Sequence, residues 1–518
     1  MCIHGIYEQR HRFNLKKRKI PMLFTKFKAK SHALIIVLSI SVSLFIVPQA
    51  LVFAQNTTTA TNVETSSSEE RNKEMSLFGE VLDYLDNYNI QGVEREQFVE
   101  NALRGMVYTL EDPYSDYFTK EELQAFQNGI SQSYTGIGVT LRFRDSKLYV
   151  TDVLEGSPAK SAGLKKGDIV TKVDGHTVTN KEDTLLIQGK ENSSVALTIL
   201  RQGKPLTFTI NRAAFSLPSV RGQMLSSTKV GYISIASFSE QADEQFKQQL
   251  QTLQKDGMTS LVLDLRNNLG GYVDAANNIA KHFIKNGVLM YTSDQSNELK
   301  AIKITGGTNL GMPVVVLVNE QTASASEILA GALHDNGVAV TLGSQTYGKA
   351  RIQNIFSLSN GSALKLTVQR YLTPNKVDFN HIGLVPDIVI DNNATAQLVS
   401  GMYKAGVRKL ELSGNVYGVA INGSPFSGEL DVIQNASKTK TYAQARVLSS
   451  LIRGDINWNT KTQKLTITDK HGKSKLFSKA AGHVKLMHNE AFIELHEFQR
   501  QFPALSWSYN QDTLKLTY

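Results

Sequence analysis

Short, nearly unbroken apolar runs recur between residues 230 and 318: VGYISI (230–235), SLVLDL (260–265) and PVVVLV (313–318). Between and after them lie DEQFKQQLQTLQ, YVDAANNIAKHF and SEILAGALHD, in which apolar residues return at helical spacing. A strand without polar alternation has both faces covered, and helices between such strands are what covers them. This stretch therefore predicts an α/β layer structure around a largely buried sheet.

The flanking regions follow other rhythms. Leu77, Val81, Leu82 and Leu85, then Phe98, Ala102, Met106 and Leu110, predict two amphipathic helices, and EDPYSDYFTKEELQAF predicts a turn and a third helix opened by Thr119. From 131 to 212 the pattern is one of short strands (IGVTLRF, KLYVTDVL, DIVTKVDG, SVALTILRQ, PLTFTI) with a short helix and glycine turn in GSPAKSAGLKKGD. Near the C-terminus INWNTKTQKLTI and LSWSYNQDTLKLTY align Trp458 with Trp507 and Leu465 with Leu514 at a common offset, each after a helical stretch. Two copies of a helix-plus-hairpin unit are expected there.

A length of 518 residues is too great for one ordinary core, and several domains are expected. The formal charge of +9 is concentrated partly in residues 8–30, so it gives little support to a nucleic-acid partner. Behind that basic stretch, Ala33 to Ala54 carries no charge, with only Ser39, Ser41, Ser43 and Gln49 as polar residues. Such a segment is long enough to cross a bilayer, and its basic N-terminal flank predicts a cytoplasmic tail with everything downstream exported, either anchored or released after cleavage. The one cysteine, Cys2, precedes this segment, which excludes disulfides and thiol chemistry from the exported part. The 11 histidines show no metal-ligand spacing, so no metal and no cofactor are expected.

Candidate chemistry centres on VNEQTASASEILAGALHDNG (318–337), where an apolar strand ends, a turn follows and a helix begins. A serine there would lie beside free helix N–H groups able to bind an oxyanion, although capping alone also explains a serine at a helix start. No histidine stands in a recognisable partnering motif. Lysine is the other known base for a serine, provided that burial or neighbours depress its pKa. Lys349 in SQTYGKARIQNIFSL is the candidate, with Gln353 an even number of positions along and able to orient its amine.

The ordered motifs NEQTASASEILAGALHDNG, YGKARIQ, GSALKLTVQRYLTPN and HIGLVPDI resemble the carboxy-terminal processing peptidases, or tail-specific proteases, from about Leu77 to Ile390. The resemblance implies an α/β multidomain chain: a mixed α/β serine protease core of crotonase/ClpP-like type, an inserted β-rich PDZ domain, N-terminal helices and an α+β C-terminal repeat domain. It implies Ser324 as nucleophile, Lys349 as base and Gln353 as the lysine's partner, with Ser326 as helix-capping neighbour and runner-up. In SLVLDLRNNLGGYVDAAN, the amide of Gly270 or Gly271 would form the oxyanion hole with that of Ala325. Leu269 and Ala350 stand where many relatives have proline and glycine, and neither change removes a reacting group.

YTGIGVTL and GSPAKSAGLKKGDIVTKVDGHTV resemble a PDZ domain, which implies capture of a substrate's C-terminal carboxylate near Gly136, Ile137, Gly138 and Val139. Gln188 stands where relatives often carry arginine, so gating here could use another residue. The C-terminal repeat resembles the non-catalytic copper-amine-oxidase N-terminal type of domain, implying a cell-surface interaction module.

The organisation expected is a basic cytoplasmic tail (1–31), a transmembrane signal-anchor or signal peptide (32–54), a polar linker (55–75) and a helical dimerisation region (76–130). A PDZ domain (131–213), a protease core (214–395) and a C-terminal repeat domain (396–518) follow. Expected partners are proteins or peptides with accessible C-termini, the membrane, a second copy of the chain and a cell-surface ligand. A catalytically silent PDZ scaffold on the same core is the competing reading; it has no need to keep Ser324, Lys349 and Gln353 together.

Overall fold

The computed structural model describes residues 68–391, 393–487 and 489–518. The basic tail, the apolar segment and most of the polar linker fall outside the described residues. The linker's last residues do not: helix Ser68–Tyr88 begins inside the stretch assigned to spacer. Glu69 and Glu70 favour its positive end and Lys73 pairs with Glu69 one turn back, so a polar composition here forms helix instead of coil.

The three apolar runs are the strands Val230–Ile235, Ser260–Asp264 and Val314–Val318. They lie side by side and parallel, extended by Val340–Gly343 and Ile388–Val389, with Val220–Met224 antiparallel at the other edge of a six-stranded sheet. Side chains alternate between two separate cores. Leu261, Leu263, Val314 and Val316 pack with helices Ala242–Lys255, Val273–Ala280 and Ala325–Asp335. Val262, Val315, Leu317 and Leu342 point the other way, into a cluster containing Ala396, Leu398, Val399 and Met402 of helix Ala394–Lys404.

That second cluster continues without a break into the C-terminal repeat, through Leu448, Leu465, Phe498 and Leu514. The repeat is therefore not an appended module with its own core; it covers one face of the six-stranded sheet. Its two units are strand–helix–hairpin: Thr441–Gln444, Ala445–Leu451 and the pair Asp455–Asn459/Lys464–Thr468, then Glu490–Glu494, Leu495–Gln501 and Ser506–Asn510/Thr513–Thr517. The last strand pairs with Glu411–Asn415, just after the sheet-covering helix, which ties the chain's end back to the start of the repeat.

A second sheet carries Asp116–Phe118 and Gly287–Ser293 on one side of the long strand Ala363–Leu372, and Arg351–Ser357 on the other. Helix Lys120–Ile130 follows the first of these and is capped by Thr119, whose hydroxyl accepts from the Glu122 amide while Glu122 accepts from the Thr119 amide.

Residues 139–211 form their own six-stranded sheet around Leu148, Val150, Leu197 and Ile199. Its two connections to the rest of the chain, Ser133–Gly136 and Ala213–Ser216, pair with each other as a two-stranded stalk. The buried Arg212 guanidinium, at the foot of that stalk, donates to the carbonyls of Leu186, Ile187 and Ser194. An arginine thus does hold the end of the 3-10 helix Glu182–Ile187, but it comes from just before the exit strand Ala213–Ser216 and not from position 188. This sheet also meets the C-terminal repeat, where Arg144 pairs with Asp431 and Arg142 donates to the Val416 carbonyl at 2.6 Å.

Candidate active site

Ser324 is the last residue before helix Ala325–Asp335, with φ 57° and ψ −116°. A positive φ on a residue with a Cβ is strained and persists only where the surroundings over-determine it. Here they do. The Ala323 amide donates to Asn268 O at 3.0 Å, and Thr322 Oγ1 donates to Leu265 O at 2.9 Å. The Asn319 side chain exchanges two hydrogen bonds with Asn267. The turn after one strand is thus fastened to the turn after its neighbour.

The serine cluster resolves differently from the expectation for Ser326. The capping position belongs to Ser324, while the fully buried Ser326 hydroxyl donates to Asn268 O at 2.9 Å and is committed there. The reason is geometric: two residues into the helix, a side chain points back onto the neighbouring turn.

Gly270 and Gly271 have φ of 109° and 138°. A Cβ on Gly270 would lie 3.0 Å from Ser324 Cβ, and one on Gly271 would lie 2.3 Å from Phe238 O, so both positions require glycine. Gly270 does not offer a free donor, however. Its amide is bonded to Asn268 Oδ1 at 2.9 Å, an interaction made when Asn268 folds back over its own turn. Of the amides expected to form an oxyanion hole, that of Gly270 is thus already committed to a side chain.

Lys349 follows Gly348, whose φ is 86°. The lysine side chain is only 1% exposed, and Nζ has no hydrogen-bond partner among the described residues. Burial, reinforced by the nearby Lys365 ammonium, brings its pKa down from 10.5 to about 7. Nζ sits 5.0 Å from the Tyr114 ring centroid, a position that roofs the amine with an aromatic face from the N-terminal segment. Gln353 is also fully buried; its Nε2 donates to Thr367 Oγ1 at 3.1 Å and its Oε1 is unpartnered. An unpaired amine and an unpaired amide oxygen thus lie buried in one loop and strand.

Several contributors carried no motif signal of their own. Lys365 lies directly across the ladder from Asp116, with Nζ 5.0 Å from the Phe118 ring centroid, and burial brings its pKa down to about 8. Glu327 and Tyr371 are buried between the serine and lysine segments. Only the Ser-x-x-Glu spacing could have pointed to Glu327, and that spacing reads equally as an ordinary capping box.

In the 139–211 sheet, Val139–Arg144 is an edge strand, paired on one side only, with Lys147–Val153. Gly136 ends the stalk strand before it. The Ile137 side chain is buried in the core of this sheet and its carbonyl accepts from Ala159. Gly138, at φ 77°, leaves no room for a Cβ against Ser157. The four residues therefore form the turn that delivers the chain to an open sheet edge.

Comparison with known proteins identifies the family. Residues 229–390 match the model of peptidase family S41, residues 135–211 a PDZ domain, and residues 40–122 the N-terminal domain of the activating protease CtpB. The carboxy-terminal processing protease CtpB of Bacillus subtilis is 34% identical over 341 residues, covering 64% of this chain and 71% of its own. A probable CtpA-like serine protease of Staphylococcus aureus is 32% identical over 384 residues, covering 71% and 76%. A solved photosystem II D1 C-terminal processing protease shares 30% identity over 61% of this chain and 93% of its own, with a TM-score of 0.40. The chain belongs to the S41 serine peptidases, among the carboxy-terminal processing proteases, and carries a PDZ domain.

Proposed function

We propose that the chain is an exported, membrane-tethered endopeptidase that cleaves proteins presented by their C-terminal tails, with Ser324 as nucleophile and Lys349 as general base. The carrying observation is a buried lysine amine without a hydrogen-bond partner, its pKa near 7, on a loop tied to a strained serine. Neutral Lys349 takes the Ser324 Oγ proton as the oxygen attacks the scissile carbonyl, then returns it to the departing amine. Water, deprotonated by the same lysine, releases the acyl group and regenerates the serine. Gln353 Oε1 is assigned as the acceptor that orients the amine during the reaction, a bond the structure does not itself make since both atoms are unpartnered, and the amides of Gly271 and Ala325 are assigned to the oxyanion.

The open edge of Val139–Arg144 supports tail capture by strand addition, with the terminal carboxylate at the turn Gly136–Val139. Exposed Met75, Leu77, Val81, Tyr84 and Tyr88 on helix Ser68–Tyr88 support a homodimer through the N-terminal helices. The helix-layered core is read as crotonase/ClpP-like, and the C-terminal repeat as a cell-surface interaction module fused to it. The membrane tether rests on the sequence of residues 33–54.

The purified chain should cleave an unfolded protein such as casein, with activity insensitive to chelators. Ser324→Ala and Lys349→Ala should each fold normally yet lose activity about 10³-fold or more. Activity should rise with pH through about 7, because the neutral amine is the base. Cleavage by Ser324→Ala at the wild-type rate would eliminate the assignment.

A further inference from the structure

No hydrogen bond joins the reactive atoms of Ser324 and Lys349: the lysine Nζ is unpartnered among the described residues, and Ser324 sits at a helix cap in an unusual backbone conformation. Their relative placement must therefore be set through the main chain. Two buried side chains bond that main chain on both segments. Glu327 Oε2 accepts from the amides of Ser324 at 2.8 Å and Lys349 at 2.9 Å, while Oε1 accepts from the Gly348 amide at 2.7 Å and Thr346 Oγ1 at 2.5 Å. The Tyr371 hydroxyl lies 2.5 Å from the Lys349 carbonyl oxygen and 3.2 Å from the Ser324 carbonyl oxygen, sharing its one proton between them.

We propose that Glu327 and Tyr371 form a clamp of positioning residues, one bonding the amides and the other the carbonyls of both Ser324 and Lys349, and so fixing the spacing of nucleophile and base. The proposal rests on the assignment of that pair. The clamp joins elements far apart in the chain: Glu327 is one turn into the helix behind the serine, and Tyr371 comes from the strand that pairs with Arg351–Ser357, behind the lysine. Three of the four partners of Glu327 are backbone amides, which can only donate, and the Thr346 hydroxyl can donate as well, so the set suits an ionised carboxylate and works against the burial that raises its pKa. That charge also faces Lys349, together with Lys365, Asp112 and the Tyr114 ring. The clamp therefore holds the base and biases it toward the ammonium, while Lys365 biases it toward the amine.

The test compares Tyr371→Phe and Glu327→Gln with Ser324→Ala and Lys349→Ala in the full chain, each checked for folding by near-ultraviolet circular dichroism. Tyr371→Phe is expected to lower kcat about 10- to 100-fold with KM within about threefold, since misplacing reactive groups costs rate more than binding. Glu327→Gln is expected to lower kcat and also to move the acid limb of the pH profile to lower pH by about half a unit, because losing a negative charge disfavours the Lys349 ammonium. A merely structural role would lower activity without moving that limb. If Glu327→Gln does not fold, Thr346→Ala, which removes one of its four donors, takes its place, with a several-fold loss in kcat expected. Wild-type kcat in Tyr371→Phe, or an unmoved limb in folded Glu327→Gln, overturns the clamp while leaving the catalytic pair in place if Ser324→Ala and Lys349→Ala are inert. Activity in either of those two removes the pair and the clamp together.

Discussion

The two faces of the central sheet treat buried charge in opposite ways. On the face covered by the C-terminal repeat, Arg266 is buried beside Asp264 at 2.6 Å, and the Tyr232 hydroxyl donates to the same carboxylate at 2.7 Å. Arg266 further donates to the Ala394 carbonyl at the start of the covering helix. Burial alone would lower the arginine pKa, but Asp264 outweighs it and the net shift is upward. On the other face, Lys349 is equally buried, has no such partner and titrates near neutrality. A paired buried cation is locked in its charged form and fastens two layers, whereas an unpaired one is left free to exchange a proton at working pH. The difference lies in the carboxylates: Asp264 meets its arginine head-on, while Glu327 spends both oxygens on donors other than the lysine amine.

The sharpest break of this contrast is Asp264→Ala. It strands Arg266 in the interior and should cost about 3–5 kcal/mol in denaturant unfolding, the usual loss when one partner of a buried pair is removed. The same substitution should leave kcat of the folded fraction near wild type; a stability loss below about 1 kcal/mol would mean that the pair is effectively solvated.

Lys349→Met should act in the opposite sense. The folded pKa near 7 lies below the unfolded value of 10.5, so between them the unfolded chain binds more protons and wild-type stability rises with pH. The variant should lose that rise and be more stable than wild type at neutral pH by a few kcal/mol, on the order of 1.4 kcal/mol for each tenfold weakening of proton affinity that burial imposes on the amine. Equal pH slopes for the two proteins would show that the amine is not depressed. The smallest effect concerns Lys365→Met. Removing this like charge relaxes Lys349 upward, so the acid limb of activity should move to higher pH by less than about one unit. A shift downward would contradict the assigned electrostatics.

The legibility of these elements in the sequence divides along physical lines. The strands of the central sheet are readable because an unbroken apolar run has few other fates, and the strand-to-helix turn at Ser324 because VNEQTASASE contains both ends of it. The capping of helix Lys120–Ile130 is equally local, Thr119 and Glu122 being three residues apart. Ser326 misleads because a sequence shows hydroxyls without showing which carbonyl each one meets. Gly270 is a plausible donor until Asn268 folds back and takes its amide. The spacer's end reads as coil because a polar helix carries no apolar stripe.

By itself, then, the amino-acid sequence determined the alternation of strand and helix, the placing of a serine at a helix start, the glycines where a Cβ would collide and the family to which the chain belongs. All of these depend on neighbours within a few residues or on the order of long motifs. Only the tertiary structure decided that Lys349 is roofed by Tyr114 and crowded by Lys365, that Glu327 and Tyr371 bond both reactive segments, and that the C-terminal repeat closes one face of the peptidase sheet. Desolvation and unpaired polar atoms are properties of packing. They arise where segments as distant as residues 114, 327, 349 and 371 converge, and no local pattern encodes which groups will be left without a partner.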